Sequence, residues 1–361
     1  MSIKKQPPSQ FIMSASVWSL ALMSLGSLVS CGDGGEGAPP SSVNQSIQQY
    51  AYVANQTDNL ISIYKINNAT GKLEANGSAS VLPGNAPNFV AIDPSNRFAY
   101  VANIGSHDVS AYSINKATGA LTSIGTPVGT GLNPISVAVD PMSRFVYTAN
   151  QNGGVSAFRI DTNTGTLTSI GPDVAAGAEP FSVAIEPTGR FAYVTSGHPT
   201  QLTNDVHAFR IDPASGALTS AAPPVPAPAI PVNITIAPSG KFAFVASGIS
   251  SSVSAFAIDS TSGALTLIGT LPTGGTAPRA VAVEASGRFA YVVNVGSNDV
   301  SIFNIASTTG ALTPIPVNPV VTAPGTDARF LTVDASGKFV YVTYYNSPYV
   351  STFSINSTTG E

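Results

Sequence analysis

FAYVVN at Phe289–Asn294 is one of seven near-copies of a single phrase. The others are YAYVAN at Tyr50–Asn55, FAYVAN at Phe98–Asn103, FVYTAN at Phe145–Asn150, FAYVTS at Phe191–Ser196, FAFVAS at Phe242–Ser247 and FVYVTY at Phe339–Tyr344. Their starts lie 48, 47, 46, 51, 47 and 50 residues apart. Self-similarity at a fixed period of this length marks a solenoid, a propeller or an array.

Each unit around the phrase has four short runs. In the clearest copy they are ISVAVDPMSR (Ile135–Arg144), FVYTAN, GVSAFRI (Gly154–Ile160) and GTLTSI (Gly165–Ile170). Each is rich in Val, Ile, Phe, Tyr and Thr, with apolar residues alternating at the two-residue period of a strand. Gly, Asn, Ser and Pro stand between the runs and supply turn geometry that strands cannot. Four antiparallel strands repeated at this period form the blade of a β-propeller. A parallel β-helix needs a far shorter period, and a doubly wound α/β fold needs helical stretches that the chain lacks after residue 40. One four-stranded sheet cannot bury both its faces, so blades must stack. The sequence therefore predicts an all-β chain, a seven-bladed β-propeller of four-stranded antiparallel blades.

With the strands of a unit lettered a to d, the sequence contains seven b and seven c strands. It contains only six a strands, beginning at Asn88, Ile135, Phe181, Val232, Arg279 and Arg329, and six d strands. Residues 41–49 (SSVNQSIQQ) do not match strand a. The terminal blades are thus expected to be incomplete, and a C-terminal truncation of roughly 25–30 residues would account for the deficit, given the repeat length.

Of 361 residues, 43% are hydrophobic and 9% charged, with a net charge of −4. An average domain carries about 25% charged residues; here Asn, Ser, Thr and Gly supply the polarity. No basic run exists, which argues against nucleic-acid binding, because a phosphate backbone demands a Lys/Arg footprint.

The N-terminal segment reads differently from the repeat. Lys4 and Lys5 precede an apolar and small-residue run from Val17 to Val29, too short to span a bilayer as a helix. It ends in Leu28-Val29-Ser30-Cys31-Gly32, which resembles the bacterial lipobox. That resemblance implies a signal peptide over 1–30 and lipid attachment at Cys31. With Gly32 rather than Asp next in the mature chain, it implies sorting to the outer membrane in a Gram-negative cell. A Gly/Pro/Ser-rich tether over 31–49 and a propeller domain over 50–361 complete the expected organisation. Cys31 is the sole cysteine, so no intrachain disulfide is possible and strand packing must carry stability.

Residues present in nearly every unit form a background to subtract when seeking a site. The basic residue before strand b (Arg97, Arg144, Arg190, Lys241, Arg288, Lys338) recurs, as does the acid ending strand a (Asp93, Asp140, Glu186, Glu284, Asp334, with Ala237 in one unit). Both read as strand-end support. Arg279 and Arg329, by contrast, occupy one strand position in two successive units where the others have Asn88, Ile135, Phe181 and Val232. At the end of a propeller channel they would make a cationic mouth suited to carboxylate or phosphate, or else two loop-bonded arginines. His198 lies in the longest b–c loop, Ser196–Val206, as a candidate catalytic residue or an ordinary surface histidine. Glu179 and Asp327 precede strands a at the same end. The three histidines, His107, His198 and His207, form no zinc signature. Neither a haem-attachment motif nor a nucleotide-binding or nucleophile-elbow motif occurs, and no cofactor or metal is expected.

FAYVAN, FAYVVN and the PSGR-type turn resemble YVTN-type β-propeller repeats over residues 50–361. The stretch Ala277-Pro278-Arg279-Ala280-Val281-Ala282-Val283 is similar to the seven-bladed lactonase superfamily, which includes 6-phosphogluconolactonase and muconate-cycloisomerase-like propellers. In the lactonases the matching stretch reads Gly-Pro-Arg-His, and a Glu follows the YVxN phrase. Arg279 matches, whereas Ala280 holds the His position and Val295 the Glu position. Two functions follow as expectations. One is an envelope-anchored, monomeric binding or scaffold propeller for an anionic small molecule or an envelope protein. The other is a lactonase-like hydrolase of a sugar or dicarboxylate lactone at an arginine-lined channel mouth. A third, a propeller subunit of a redox assembly, would carry its cofactor elsewhere.

Overall fold

The computed structural model describes residues 17–22, 48–76, 84–198, 203–316, 320–321, 327–345, 347 and 349–361. The seven phrases are the b strands of seven separate antiparallel sheets, numbered here as blades 1 to 7 from Gln49–Asn55 to Phe339–Tyr344. Each b strand is buried along its whole length. Both faces of the strand meet a neighbouring blade, which is why Phe, Tyr, Val and Ala alternate without a polar face.

In blades 2 to 7, strand a spans Pro87–Ile92, Pro134–Val139, Pro180–Ile185, Pro231–Ile236, Pro278–Val283 and Ala328–Val333. Each begins one residue earlier than the repeat alone indicated. These strands pack side by side in a ring around the channel. The repeat furnishes strands b to d to blade 1 and a to c to blade 7, so both terminal blades are incomplete within it, as expected. The inner position of blade 1 is filled from outside the repeat by Val17–Leu22, which pairs antiparallel with Gln49–Asn55. This apolar segment was expected to lie outside the propeller as a leader. The open edge of Gln49–Asn55 needs only backbone donors and acceptors from a partner strand, which explains how a run without the Val-Ala-Val pattern fits there.

Three devices join successive blades. The first is a tyrosine in strand b whose hydroxyl donates to a glycine carbonyl in the c–d turn of the next blade. The pairs are Tyr52–Gly119 at 2.8 Å, Tyr100–Gly165 at 3.1 Å, Tyr147–Gly216 at 2.8 Å, Tyr193–Gly263 at 3.0 Å and Tyr291–Gly360 at 2.8 Å. Tyr341 donates to Gly71 at 2.8 Å and so closes the ring from blade 7 to blade 1. Blade 5 has Phe244 at this position.

In the second device the aromatic that opens strand b lies flat on the same glycine. A Cβ on Gly216, whose φ is +80°, would stand 2.4 Å from Phe145 Cδ1. The third device uses the recurring charged residues. Asp140 Oδ1 accepts from the backbone N–H of Arg144 and, at 2.9 Å, of Phe145, while Arg144 Nε donates to Asp140 Oδ2 at 2.9 Å. The Arg144 guanidinium reaches on to Pro213 O of the next blade at 3.2 Å. Arg97, Arg190 and Arg288 reach Asn163 O, Ser260 O and Ser357 O in the same way. The recurring acids are therefore turn caps, and the four arginines are seam ties.

Candidate functional site at the channel mouth

Every strand a carries a register shift immediately after its first residue, as between Pro278 and Ala280 and between Ala328 and Phe330. The second residue is thus a β-bulge, left out of the ladder, and a bulge re-aims its side chain. The bulged residues are Asn88, Ile135, Phe181, Val232, Arg279 and Arg329, and all six line one cavity at the mouth of the channel, with a volume of about 130 Å³. The same backbone irregularity in strand a of blade 1 falls at Trp18. The alternation of residue types read from the sequence is therefore the lining of a single site.

Arg279 and Arg329 come from adjacent blades into this cavity. Arg329 is held by Asp327, with Nε donating to Oδ1 at 3.0 Å and Nη2 to Oδ2 at 3.1 Å, and its guanidinium stacks 4.7 Å from the Tyr345 ring centroid. Burial, and then the neighbouring Arg329 charge, pull the Arg279 pKa down to about 10, while Asp327 acts in the opposite direction. Burial and the Arg329 charge thus both disfavour the Arg279 cation, and an anion between the two guanidiniums would offset their mutual repulsion.

The third residue of strand a forms the floor. Ser136 Oγ accepts from Val183 N at 3.3 Å, Ser182 Oγ from Ile234 N at 3.4 Å and Asn233 Oδ1 from Val281 N at 2.9 Å. These side chains tie strand a of one blade to strand a of the next. On the other side of the channel the third residues are Phe89 and Phe330, which meet edge to face across blade 1 with ring centroids 5.2 Å apart and planes at 84°. None of these third-position residues was singled out from sequence. Comparing strand a column by column at that position as well would have found them.

His198 lies one step back from the cavity. Its Nε2 is 3.3 Å from Glu179 Oε1, and Glu179 Oε2 accepts from Gln151 Nε2 at 3.2 Å; of these three residues only Gln151 lines the cavity. His207 pairs with Asp205 at 2.8 Å within blade 4 and takes no part in the cavity wall. Ala280 is buried and absent from the lining. Among the described residues the cavity wall contains no imidazole and no carboxylate, and no group of three or more His, Cys, Asp or Glu could hold a metal ion. Cys31 lies outside the described residues. The wall sets two guanidiniums among apolar, amide and hydroxyl side chains, none of them an ordinary proton-transfer group.

Fold and site together define a propeller with a cationic channel mouth. The profile described as Lactonase, 7-bladed beta-propeller matches residues 29–137, 125–202 and 200–326, and the chain belongs to this family. No curated protein matches. Among solved structures, a candidate 6-phosphogluconolactonase of Bacteroides fragilis is similar, at 22% identity and a TM-score of 0.75, covering 90% of this chain and 94% of its own. The periplasmic gluconolactonase PpgL of Pseudomonas aeruginosa is similar at 21% identity and a TM-score of 0.70, covering 83% and 89%. Hydrazine synthase of Kuenenia stuttgartiensis is similar at 18% identity and a TM-score of 0.66, covering 85% and 92%. At these identities the likeness is one of fold, on which very different chemistries are carried.

Proposed function

We propose that this chain is a ligand-binding propeller, anchored to the cell envelope through Cys31, whose channel mouth takes an anionic small molecule between Arg279 and Arg329. The observation that carries the binding reading is a cavity wall with two guanidiniums and neither imidazole nor carboxylate. Bidentate guanidinium geometry suits carboxylate and phosphate. The anchor rests on the lipobox resemblance of the sequence, which supports an outer-membrane lipoprotein, and the reading takes the chain as a monomer.

The second reading is a lactone hydrolase. Family membership and Arg279 at the family's arginine position favour it, and so does the Gln151–Glu179–His198 chain leading out from the cavity.

Calorimetric titration with acetate and inorganic phosphate tests the binding reading. The Arg279→Ala/Arg329→Ala double variant, checked for intact secondary structure by circular dichroism, is expected to lose at least tenfold in affinity, since each charge-assisted hydrogen bond is worth roughly 1.5–3 kcal/mol. Wild-type affinity in that variant removes the site. A pH-stat panel of sugar and dicarboxylate lactones decides between the readings: turnover abolished by His198→Ala establishes the hydrolase.

A further inference from the structure

The polar side chains of the cavity wall differ in what they can still bond. The two guanidiniums only donate. The Ser136 and Ser182 oxygens already accept from backbone N–H groups of the next blade. Asn233 is spent at both ends, its Oδ1 accepting from Val281 N at 2.9 Å and its Nδ2 donating to Ser182 Oγ at 3.3 Å. Asn88 gives its Nδ2 to Ile135 O at 2.6 Å, and its Oδ1 lies below the surface. Gln151 is half-buried and its Nε2 donates to Glu179 Oε2 at 3.2 Å. Among the described residues its Oε1 accepts no hydrogen bond. Of the three amides in the wall, Gln151 is thus the one whose oxygen stays open.

Chemistry fixes the direction of that amide. An ionised carboxylate accepts and does not donate, so the atom that Gln151 turns to Glu179 must be its amide nitrogen. Glu179 is itself held. Its backbone N–H donates to Ser196 Oγ at 3.2 Å, its carbonyl accepts from Gly197 N at 3.2 Å, and its Oε1 is 3.3 Å from His198 Nε2. Gln151 N donates to Asn133 O at 2.9 Å, which fixes the start of its loop. Glu179 lies outside the wall, and the two polar atoms of an amide diverge from one carbon, so Oε1 is left on the cavity side. Gln151 follows strand b of blade 3, whereas Arg279 and Arg329 belong to blades 6 and 7. In a ring of seven it is three blades from each, directly across the mouth. The cavity therefore sets charged donors on one side and one oriented acceptor on the other.

From this arrangement we infer that Gln151 is a specificity-determining residue, and that the ligand is a small anion carrying an O–H or N–H donor at the end away from its acid group. The acid lies on Arg279 and Arg329, the distal donor bonds to Gln151 Oε1, and Glu179 with His198 holds the amide so that it accepts. An acid that ends in an acceptor meets oxygen against oxygen there and is disfavoured. This inference rests on the anion-binding reading of the same arginines and adds what is read at the opposite wall.

Calorimetric titration of the full chain with ω-hydroxy acids of three to six carbons tests it. Each is set beside the unsubstituted acid of equal heavy-atom length, the methyl ether of the hydroxy acid and the matching ω-amino acid, which tells an ammonium donor from a hydroxyl. At the length that spans the mouth, a donor-bearing acid is expected to bind about fivefold tighter than the unsubstituted acid or the ether, from one hydrogen bond. Gln151→Leu, checked by circular dichroism, should erase that preference and leave the unsubstituted acid unchanged; a variant that merely loosened the mouth would weaken both. Glu179→Gln frees the Gln151 amide to turn its nitrogen to the cavity, and should shift the preference from the hydroxy acid toward the ether. If neither donor-bearing acid has an advantage at any length, or Gln151→Leu keeps that advantage, the assignment of Gln151 is overturned while the anion site stands. If no acid of the series binds, both fall.

Discussion

The seam between blades 5 and 6 provides a direct test of how the ring is held. Six seams have a tyrosine hydroxyl on a glycine carbonyl, and this one has Phe244 facing Gly310. The geometry around the missing bond is otherwise the same. A Cβ on Gly310 would stand 2.3 Å from Phe242 Cδ1, against 2.4 Å for Gly216 and Phe145, and both glycines have left-handed φ, +72° and +80°. Phe244 and Tyr147 are both wholly buried. The change Phe244→Tyr therefore adds an O–H at a place where six homologous seams accept it, and is expected to raise stability by about 1 kcal/mol, the net worth of a neutral hydrogen bond. The reverse change, Tyr147→Phe, removes a 2.8 Å bond and leaves Gly216 O buried and unpaired, at an expected cost of about 1–2 kcal/mol. The two sites lie in different blades with no shared partner, so the effects should add in the double variant. Urea unfolding at a common m-value reads both, with melting-point shifts of about 2 °C per kcal/mol as a check. If Phe244→Tyr destabilises the chain and Tyr147→Phe is neutral, the hydroxyls do not join the blades and the reasoning fails.

Burial raises the hydroxyl pKa of Tyr52, Tyr100, Tyr147, Tyr193, Tyr291 and Tyr341 above the ordinary value of 10.0. Their contribution to stability is complete below pH 10 and is lost as pH rises from there through the folded-state values. Stability measured against pH should fall steeply above about 10, and less steeply in Tyr147→Phe. Gly216→Ala should cost at least about 2 kcal/mol in chemical denaturation, from left-handed backbone strain and the clash with Phe145. Cys31→Ser should leave an uncleaved, unlipidated precursor on gels and in lipid labelling; processing and lipid extraction as in wild type would refute the anchor.

The fold was legible because one strand is written seven times with both faces apolar, a pattern that only stacking on two sides explains. Strand starts were misplaced by one residue because Pro87, Pro134, Pro180, Pro231 and Pro278 read as loop, whereas each forms the first rung of a ladder before the bulge. That bulge is also why the site was half visible. The residues that break the repeat at the bulge, Arg279 and Arg329, stood out by charge. Phe181 and Asn88 at the same position did not, since an apolar or amide residue in a strand looks ordinary until the backbone turns it into a cavity. The Phe89–Phe330 contact joins residues 241 positions apart in the chain across a blade that neither belongs to, and no local pattern announces it. The inner strand of blade 1 was hidden for a related reason: Val17–Leu22 lies well before its partner Gln49–Asn55 and shares none of the repeat's lettering.

That strand sets two fates for one segment in competition. A run that serves as an export leader must be held extended by the translocation machinery, and while held it cannot occupy the gap between the inner strands of blades 7 and 2. Were Val17–Leu22 held in that way, the gap beside Gln49–Asn55 would stay open until the segment was released. Were residues 1–30 removed, as the lipobox resemblance implies, the edge of Gln49–Asn55 would lose its ladder partner and present unpaired backbone donors and acceptors. The strand that then paired with Gln49–Asn55 would decide whether the propeller closed on itself or on a neighbour.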